Sequence, residues 1–171
     1  SMSGLDDAVR RWAQGVYPVE AGAELLIRQG KAIYEGAPWL RESGAGRGQR
    51  MVSIDTDALN AETPRWSGTE RRVAGVALSL IGDRYAVNLY EAATGLDPEQ
   101  LELVLAAVAH AAGSHEARMP RIDGGKLTGY TEPVNAHPWP ERLNIIGLPP
   151  RPNRAVAHEP GEAAGGPGRS L

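Results

Sequence analysis

The chain has 171 residues, contains no cysteine and carries a formal net charge of −3 at pH 7. The absence of cysteine excludes a disulfide scaffold, thiolate metal ligands and a cysteine nucleophile. Hydrophobic residues make up 42% and charged residues 23% of the sequence, as in an ordinary globular protein. No apolar run approaches the roughly 18 residues of a membrane span, so we expect no membrane partner. The absence of cysteine leaves the redox compartment open, and a reducing cytoplasm fits best.

Two amphipathic helices are predicted at the start of the chain. Four apolar residues recur at the spacing of one helical face: Leu5, Ala8, Val9 and Trp12. Pro18 suits the first turn of the second helix, and Gly30 suits its end. In residues 31–54, Gly36 and Pro38 break any long helix. Whether this stretch contains a strand stays open.

Capping patterns predict the helices that follow. Asp55 is predicted to cap a short helix over residues 57–62. Ser67 and Glu70 have the spacing of a capping box, which begins a helix that Gly82 ends.

Residues 85–95 alternate in a way that also fits a strand. A short helix after Asn88 is the preferred prediction, because Asn is a good cap and Glu91 lies three residues on. The clearest helix begins at Asp97 and ends at Gly113. Its apolar stripe is predicted to consist of Leu101, Val104, Leu105 and Val108.

These elements predict an all-α fold, a small irregular bundle of helices over residues 4–116, with an extended C-terminal tail. Residues 117–171 contain 9 of the 13 prolines and 8 of the 21 glycines. We expect residues 117–152 to form an extended segment docked on the domain, and residues 153–171 to be disordered.

One part of this tail is too apolar for a simple linker. It carries Trp139, Leu143, Ile145, Ile146 and Leu148, followed by Pro149 and Pro150. Burial of several of these side chains favours docking of the segment on its own domain. The alternative is that the segment binds a protein partner, since the prolines favour a ligand-like polyproline conformation.

Nucleic-acid binding is a weaker hypothesis. Residues 1–116 hold 11 basic and 16 acidic residues, so the helical body is acidic and repels phosphate. The helices over 69–81, 88–94 and 97–112 have roughly helix-turn-helix lengths, but the third would present acidic residues to DNA. The arginines that could still form a basic patch are Arg47, Arg50, Arg71 and Arg72.

The histidines do not match a zinc-binding helix. His110 and His115 lie five positions apart, whereas zinc-binding helices place histidines four apart so that both share a face. We therefore predict no metal site and no cofactor. An enzyme would have to combine His110, His115 or His137 with Asp55 or Asp57, in a site between the helices and the tail.

Other common catalytic signatures are missing. No serine lies in a GxSxG sequence, so the nucleophile elbow is excluded. The run IDGGK, residues 122–126, lacks the complete phosphate-loop pattern and is predicted to be a glycine turn.

The block NLYEAATGLDPEQLELVLAAVAHAAG, residues 88–113, resembles a stretch of small helical proteins of high-GC bacteria that have no assigned function. The resemblance implies a helical fold and no particular site. The missing catalytic signatures and the apolar tail favour a non-enzymatic protein-interaction or regulatory module. A nucleic-acid-binding protein and an enzyme with a His/Asp site are the alternatives.

Overall fold

The structure is a computed structural model that describes residues 2–42 and 48–141. These residues belong to one compact unit that ends at Glu141. The elements in chain order are α1 (Met2–Ala13), α2 (Tyr17–Gln29), β1 (Leu40–Glu42), β2 (Val52–Ile54), α3 (Thr56–Glu62), α4 (Gly68–Ile81), α5 (Leu89–Thr94), α6 (Pro98–Ala111), β3 (Pro120–Asp123) and β4 (Lys126–Tyr130). A 3₁₀ turn over Thr63–Arg65 follows α3. In this described part, no helix is both long and apolar enough to cross a membrane.

Four predicted helix starts are confirmed by side-chain caps. The carboxylate of Asp55 accepts a hydrogen bond from the backbone N–H of Ala58, and Asp97 caps α6 in the same way. Ser67 and Glu70 form a complete capping box at the start of α4. Asn88 accepts hydrogen bonds from two backbone N–H groups of α5, so the helical prediction was correct there.

The all-α prediction was too narrow, because two antiparallel strand pairs accompany the helices. In the first pair, Leu40 lies opposite Ile54 and Glu42 lies opposite Val52. Each of these strands has three residues, which is too short for alternation to stand out in the sequence. Val52 and Ile54 are nevertheless buried, so the pair belongs to the hydrophobic core.

The second strand pair forms a hairpin in the segment that was predicted to be extended. Strands β3 and β4 pair through a turn at Gly124 and Gly125, both with positive φ, which confirms the predicted glycine turn. Nearly every residue of the two strands is exposed. The hairpin therefore contributes little to the core.

Helix α2 is the centre of the packing. It lies against α4 and α6, and α1 packs against both α2 and β2. The α2 side chains Leu25 and Leu26 are completely buried. Gly22 marks a close approach to α4, because a Cβ atom there would lie 2.7 Å from the carbonyl oxygen of Ala77.

The buried face of α6 differs from the predicted stripe. Leu103, Ala106 and Ala107 are buried, whereas Leu105 and Val108 are exposed. Helix α6 is apolar around most of its circumference, so its spacing alone did not identify the inward face. The small side chains of Ala106 and Ala107 allow α6 to lie close to α2. His110 lies four and three positions after them on the same face, and it contacts Glu20 of α2.

Candidate functional site

Three potential metal ligands meet where the start of α2 lies against the end of α6. One ligand atom each from Glu20, His110 and His115 lies within 4.8 Å of the other two. We call these three residues the His–Glu cluster. Its members are partly buried, and Nε2 of His110 lies 2.8 Å from Oε2 of Glu20.

Glu20 is held in the first turn of α2. The backbone N–H of Gly15 donates to Oε1 of Glu20 at 2.8 Å. This hydrogen bond, and then the one to His110, keep the pKa of Glu20 below its ordinary value despite partial burial. Glu20 is therefore a carboxylate that can only accept, so Nε2 of His110 carries the hydrogen between them.

A turn after α6 brings the two histidines together. The helix ends at Ala111, and Gly113 adopts a left-handed conformation with φ of 74°. The chain then folds back, and His115 stacks on His110 with ring centroids 4.1 Å apart and planes 7° apart. The prediction from helical spacing missed this contact because His115 lies beyond the helix.

His115 carries an unsatisfied polar atom. Its Nδ1 is buried and has no hydrogen-bond partner in the part of the chain that the structure describes. Such an atom is costly unless a partner satisfies it, so it marks a place where a ligand can bind.

Tyr17 and Glu116 border the cluster. The Tyr17 hydroxyl donates a hydrogen bond to Oε2 of Glu116, which raises the pKa of Tyr17. The Tyr17 ring meets the His115 ring edge-on, with centroids 4.9 Å apart. Together these contacts cover one side of the histidine pair.

A cavity of about 480 Å³ adjoins the cluster. Glu20 and His110 form part of its wall, and Trp139 forms another part. The rest of the wall comes from Asp7, Arg10, Arg11 and Ala13 of α1, from Gln14 directly after α1, and from Glu24 of α2. The volume is in the range of sites for small molecules.

Trp139, the first predicted anchor of the tail, packs on the helical body. The guanidinium of Arg28 lies 5.2 Å from the centre of the Trp139 ring, a cation–π contact. Arg28 also donates to the carbonyl oxygen of Pro140 at 2.7 Å, and the His110 ring lies 6.2 Å from that of Trp139. The other predicted anchors lie outside the described residues: Leu143, Ile145, Ile146, Leu148, Pro149 and Pro150.

Two of the four arginines of the nucleic-acid hypothesis have partners within the protein. Arg50 forms ion pairs with Glu35 and Glu42, so its charge is compensated. Arg72 donates from Nε to the backbone carbonyl of Glu91 at 3.0 Å. Arg71 is exposed, and Arg47 lies outside the described residues.

The histidines and aspartates that were candidates for an enzyme site contact other residues instead of each other. Asp55 caps α3 and pairs with Arg41. Asp57 accepts hydrogen bonds from Arg84 and Tyr85. His137 is exposed, and its backbone N–H donates to Asn135. The residue that pairs with His110 is Glu20, which lies 90 positions away in the sequence.

Comparisons with known proteins found no match to the chain among protein-family models, curated proteins or solved structures.

Proposed function

We propose that this protein binds a divalent transition-metal ion, with Zn²⁺ the best fit, through Glu20, His110 and His115. The observation that carries this proposal is the convergence of three ligand atoms within 4.8 Å of one another. Two imidazoles and one carboxylate form a donor set that zinc accepts, and no thiolate is needed. The proposal departs from the expectation of no metal site, which rested on the spacing of the histidines alone.

Small movements would complete the coordination. Ligand atoms around a tetrahedral Zn²⁺ lie roughly 3.3 Å apart, because each metal–ligand bond is about 2.0–2.1 Å long. The contact of 2.8 Å between His110 and Glu20 must therefore open slightly, and the longest separation in the cluster must shorten. If Nε2 of His110 is the ligand, the hydrogen of the neutral ring has to move to Nδ1, because a ring nitrogen that binds a metal cannot also carry a hydrogen.

One histidine ring must also tilt. Because the two stacked planes lie only 7° apart, the lone pairs of their nitrogen atoms lie in nearly parallel planes and do not converge on one centre. His110 is oriented by Glu20, whereas His115 lies in the turn after α6 with a free Nδ1 among the described residues. We expect His115 to rotate when the ion binds.

Calorimetric titration of the untagged full chain with ZnCl₂ tests the proposal. The wild type should bind one ion, and His115→Ala should bind it roughly 100-fold more weakly or not at all, because losing a ligand costs at least as much as losing an outer-shell partner. His137→Ala is the matched control, since it removes an exposed histidine outside the cluster. Equal affinity in the wild type and in His115→Ala would contradict the proposal.

The protein-interaction module is a second proposal, supported by the β3–β4 hairpin. Ile122 and Leu127 face each other across the strands and are 68% and 59% exposed. Exposed apolar pairs of this kind favour contact with a protein partner. A pull-down with the chain that carries Ile122→Asp and Leu127→Asp should lose proteins that the wild type retains, whereas Thr128→Asp should keep them. Identical protein sets for all three baits would contradict this proposal.

A further inference from the structure

We infer that the metal ion in the His–Glu cluster keeps an open coordination position toward the adjoining cavity, where a small organic carboxylate binds. This inference rests on the metal site proposed above. It adds the direction of the open position and the chemical class of the ligand.

The number of protein ligands leaves a position vacant. The described residues supply a cluster of three ligand groups, whereas Zn²⁺ usually takes four. Structural zinc sites fill all four positions with protein atoms, and catalytic sites reserve one for water or substrate. Three ligands beside a cavity therefore correspond to the second kind of site.

The cavity lies on the side where this position opens. Glu20 and His110 belong both to the cluster and to the cavity wall, whereas His115 does not line the cavity. Tyr17 packs edge-on against the His115 ring and covers the cluster there. An exogenous ligand therefore approaches the ion past Glu20 and His110.

The charges on the wall select an anion once the metal is bound. Three carboxylates and two arginines line the cavity, for a net charge of −1 when His110 is neutral. A Zn²⁺ ion changes this sum to +1. The cavity therefore repels anions without metal and attracts them with metal.

Arg11 provides a second point of attachment. Its Nε donates to the backbone carbonyl of Arg50 at 2.9 Å, and it has no ion pair with a carboxylate in the described part of the chain. Arg10, in contrast, is already paired with Asp7 and Glu24. A carboxylate oxygen on the metal and a guanidinium donor on Arg11 would hold the anionic end, with Trp139 as an apolar wall.

Cobalt substitution in the untagged full chain tests the inference. Co²⁺ replaces Zn²⁺ in such sites, and its visible absorption reports the coordination sphere. Titration with CoCl₂ alone should produce a saturable band at one equivalent. Addition of acetate should then change this band in a saturable manner, and acetohydroxamate, a chelating analogue, should do so at lower concentration.

Variants assign the carboxylate to the cavity. Arg11→Gln should weaken acetate binding about 10- to 100-fold, the usual worth of one charge-assisted hydrogen bond. Arg65→Gln is the matched control, because Arg65 pairs with Glu62 on the 3₁₀ turn and does not line the cavity. It should leave acetate binding unchanged. The cobalt affinity of each variant, measured on the same sample, separates loss of the ion from loss of the anion.

The outcomes separate the two proposals. A chain without a cobalt band contradicts the metal site and the carboxylate site together. A normal cobalt band that does not respond to acetate or acetohydroxamate leaves the metal site intact and overturns the open position. A response to acetate that is equal in the wild type and Arg11→Gln overturns the binding of carboxylate in this cavity.

Discussion

Helix α2 makes two main contacts of opposite character. Against α4 it packs so closely that Gly22 leaves no room for a methyl group. Toward α6 and the turn after it, its first turns present polar groups, with Glu20 beside His110 and Tyr17 beside His115. A stable fold requires close packing such as the contact with α4, but it does not require the polar groups at the other contact.

The difference separates a contact that stabilises the fold from a candidate functional site. Burial of apolar surface is the main stabilising contribution to folding, and the buried side chains of α2 provide it. Polar groups at a helix contact must be desolvated, and Nδ1 of His115 gains no hydrogen bond from any described residue in return. A contact that a hydrophobic pair could replace without loss of stability is a good candidate for a functional site.

The largest expected effect is on the apolar side of the comparison. Leu26→Ala should lower the free energy of unfolding by about 2–5 kcal/mol, because the buried side chain leaves a cavity behind. Leu89→Ala is the control, since Leu89 is 77% exposed, and it should change stability by less than about 0.5 kcal/mol. Urea denaturation measures both. Similar midpoints for the two variants would show that α2 does not hold the core.

Substitutions at two glycines test how closely α2 packs against α4. Gly22→Ala should destabilise the protein by about 1–3 kcal/mol, because the new Cβ would lie 2.6 Å from Cγ1 of Ile81. Gly75→Ala in α4 should stabilise it by about 0.5–1 kcal/mol, since the nearest atom lies 3.9 Å away and alanine favours helix. Thermal unfolding compares them. Shifts of the same sign would contradict the close contact between α2 and α4.

The smallest expected effect concerns the polar side. His115→Ala should change the unfolding free energy by less than about 0.5 kcal/mol in EDTA, because it removes an unsatisfied buried atom along with some packing. With Zn²⁺ at 100 times its dissociation constant, the wild type should gain about 2.7 kcal/mol, and the variant should gain almost nothing. A large loss of stability in EDTA would assign His115 to the fold instead of to a ligand.

The sequence predicted features that depend on neighbouring residues. The cap at Asp97 and the capping box of Ser67 and Glu70 are contacts within three positions, so their residue types suffice. The short strands β1 and β2 were left open, because their pairing depends on chain segments on either side of a loop. The inward face of α6 was misassigned because nearly all of its faces are apolar.

The cluster itself was beyond the reach of sequence patterns. Glu20 and His110 lie 90 residues apart, and only the packing of α2 against α6 brings them together. The approach of His115 to His110 depends on the positive φ of Gly113. That glycine was predicted to end the helix, but the direction of the chain after it could not be derived from helical spacing.

The base of the β3–β4 hairpin has a consequence for an experiment with trypsin. Arg121 and Lys126 offer cleavage sites beside the exposed glycine turn. Hydrogen bonds from Val134 to Ala117 and from Thr131 to Met119 join the two sides of the hairpin below this turn. Trp139 makes a separate cation–π contact with Arg28 of the helical body. A nicked chain would therefore stay assembled, and the cavity would keep its tryptophan wall although the chain is no longer continuous.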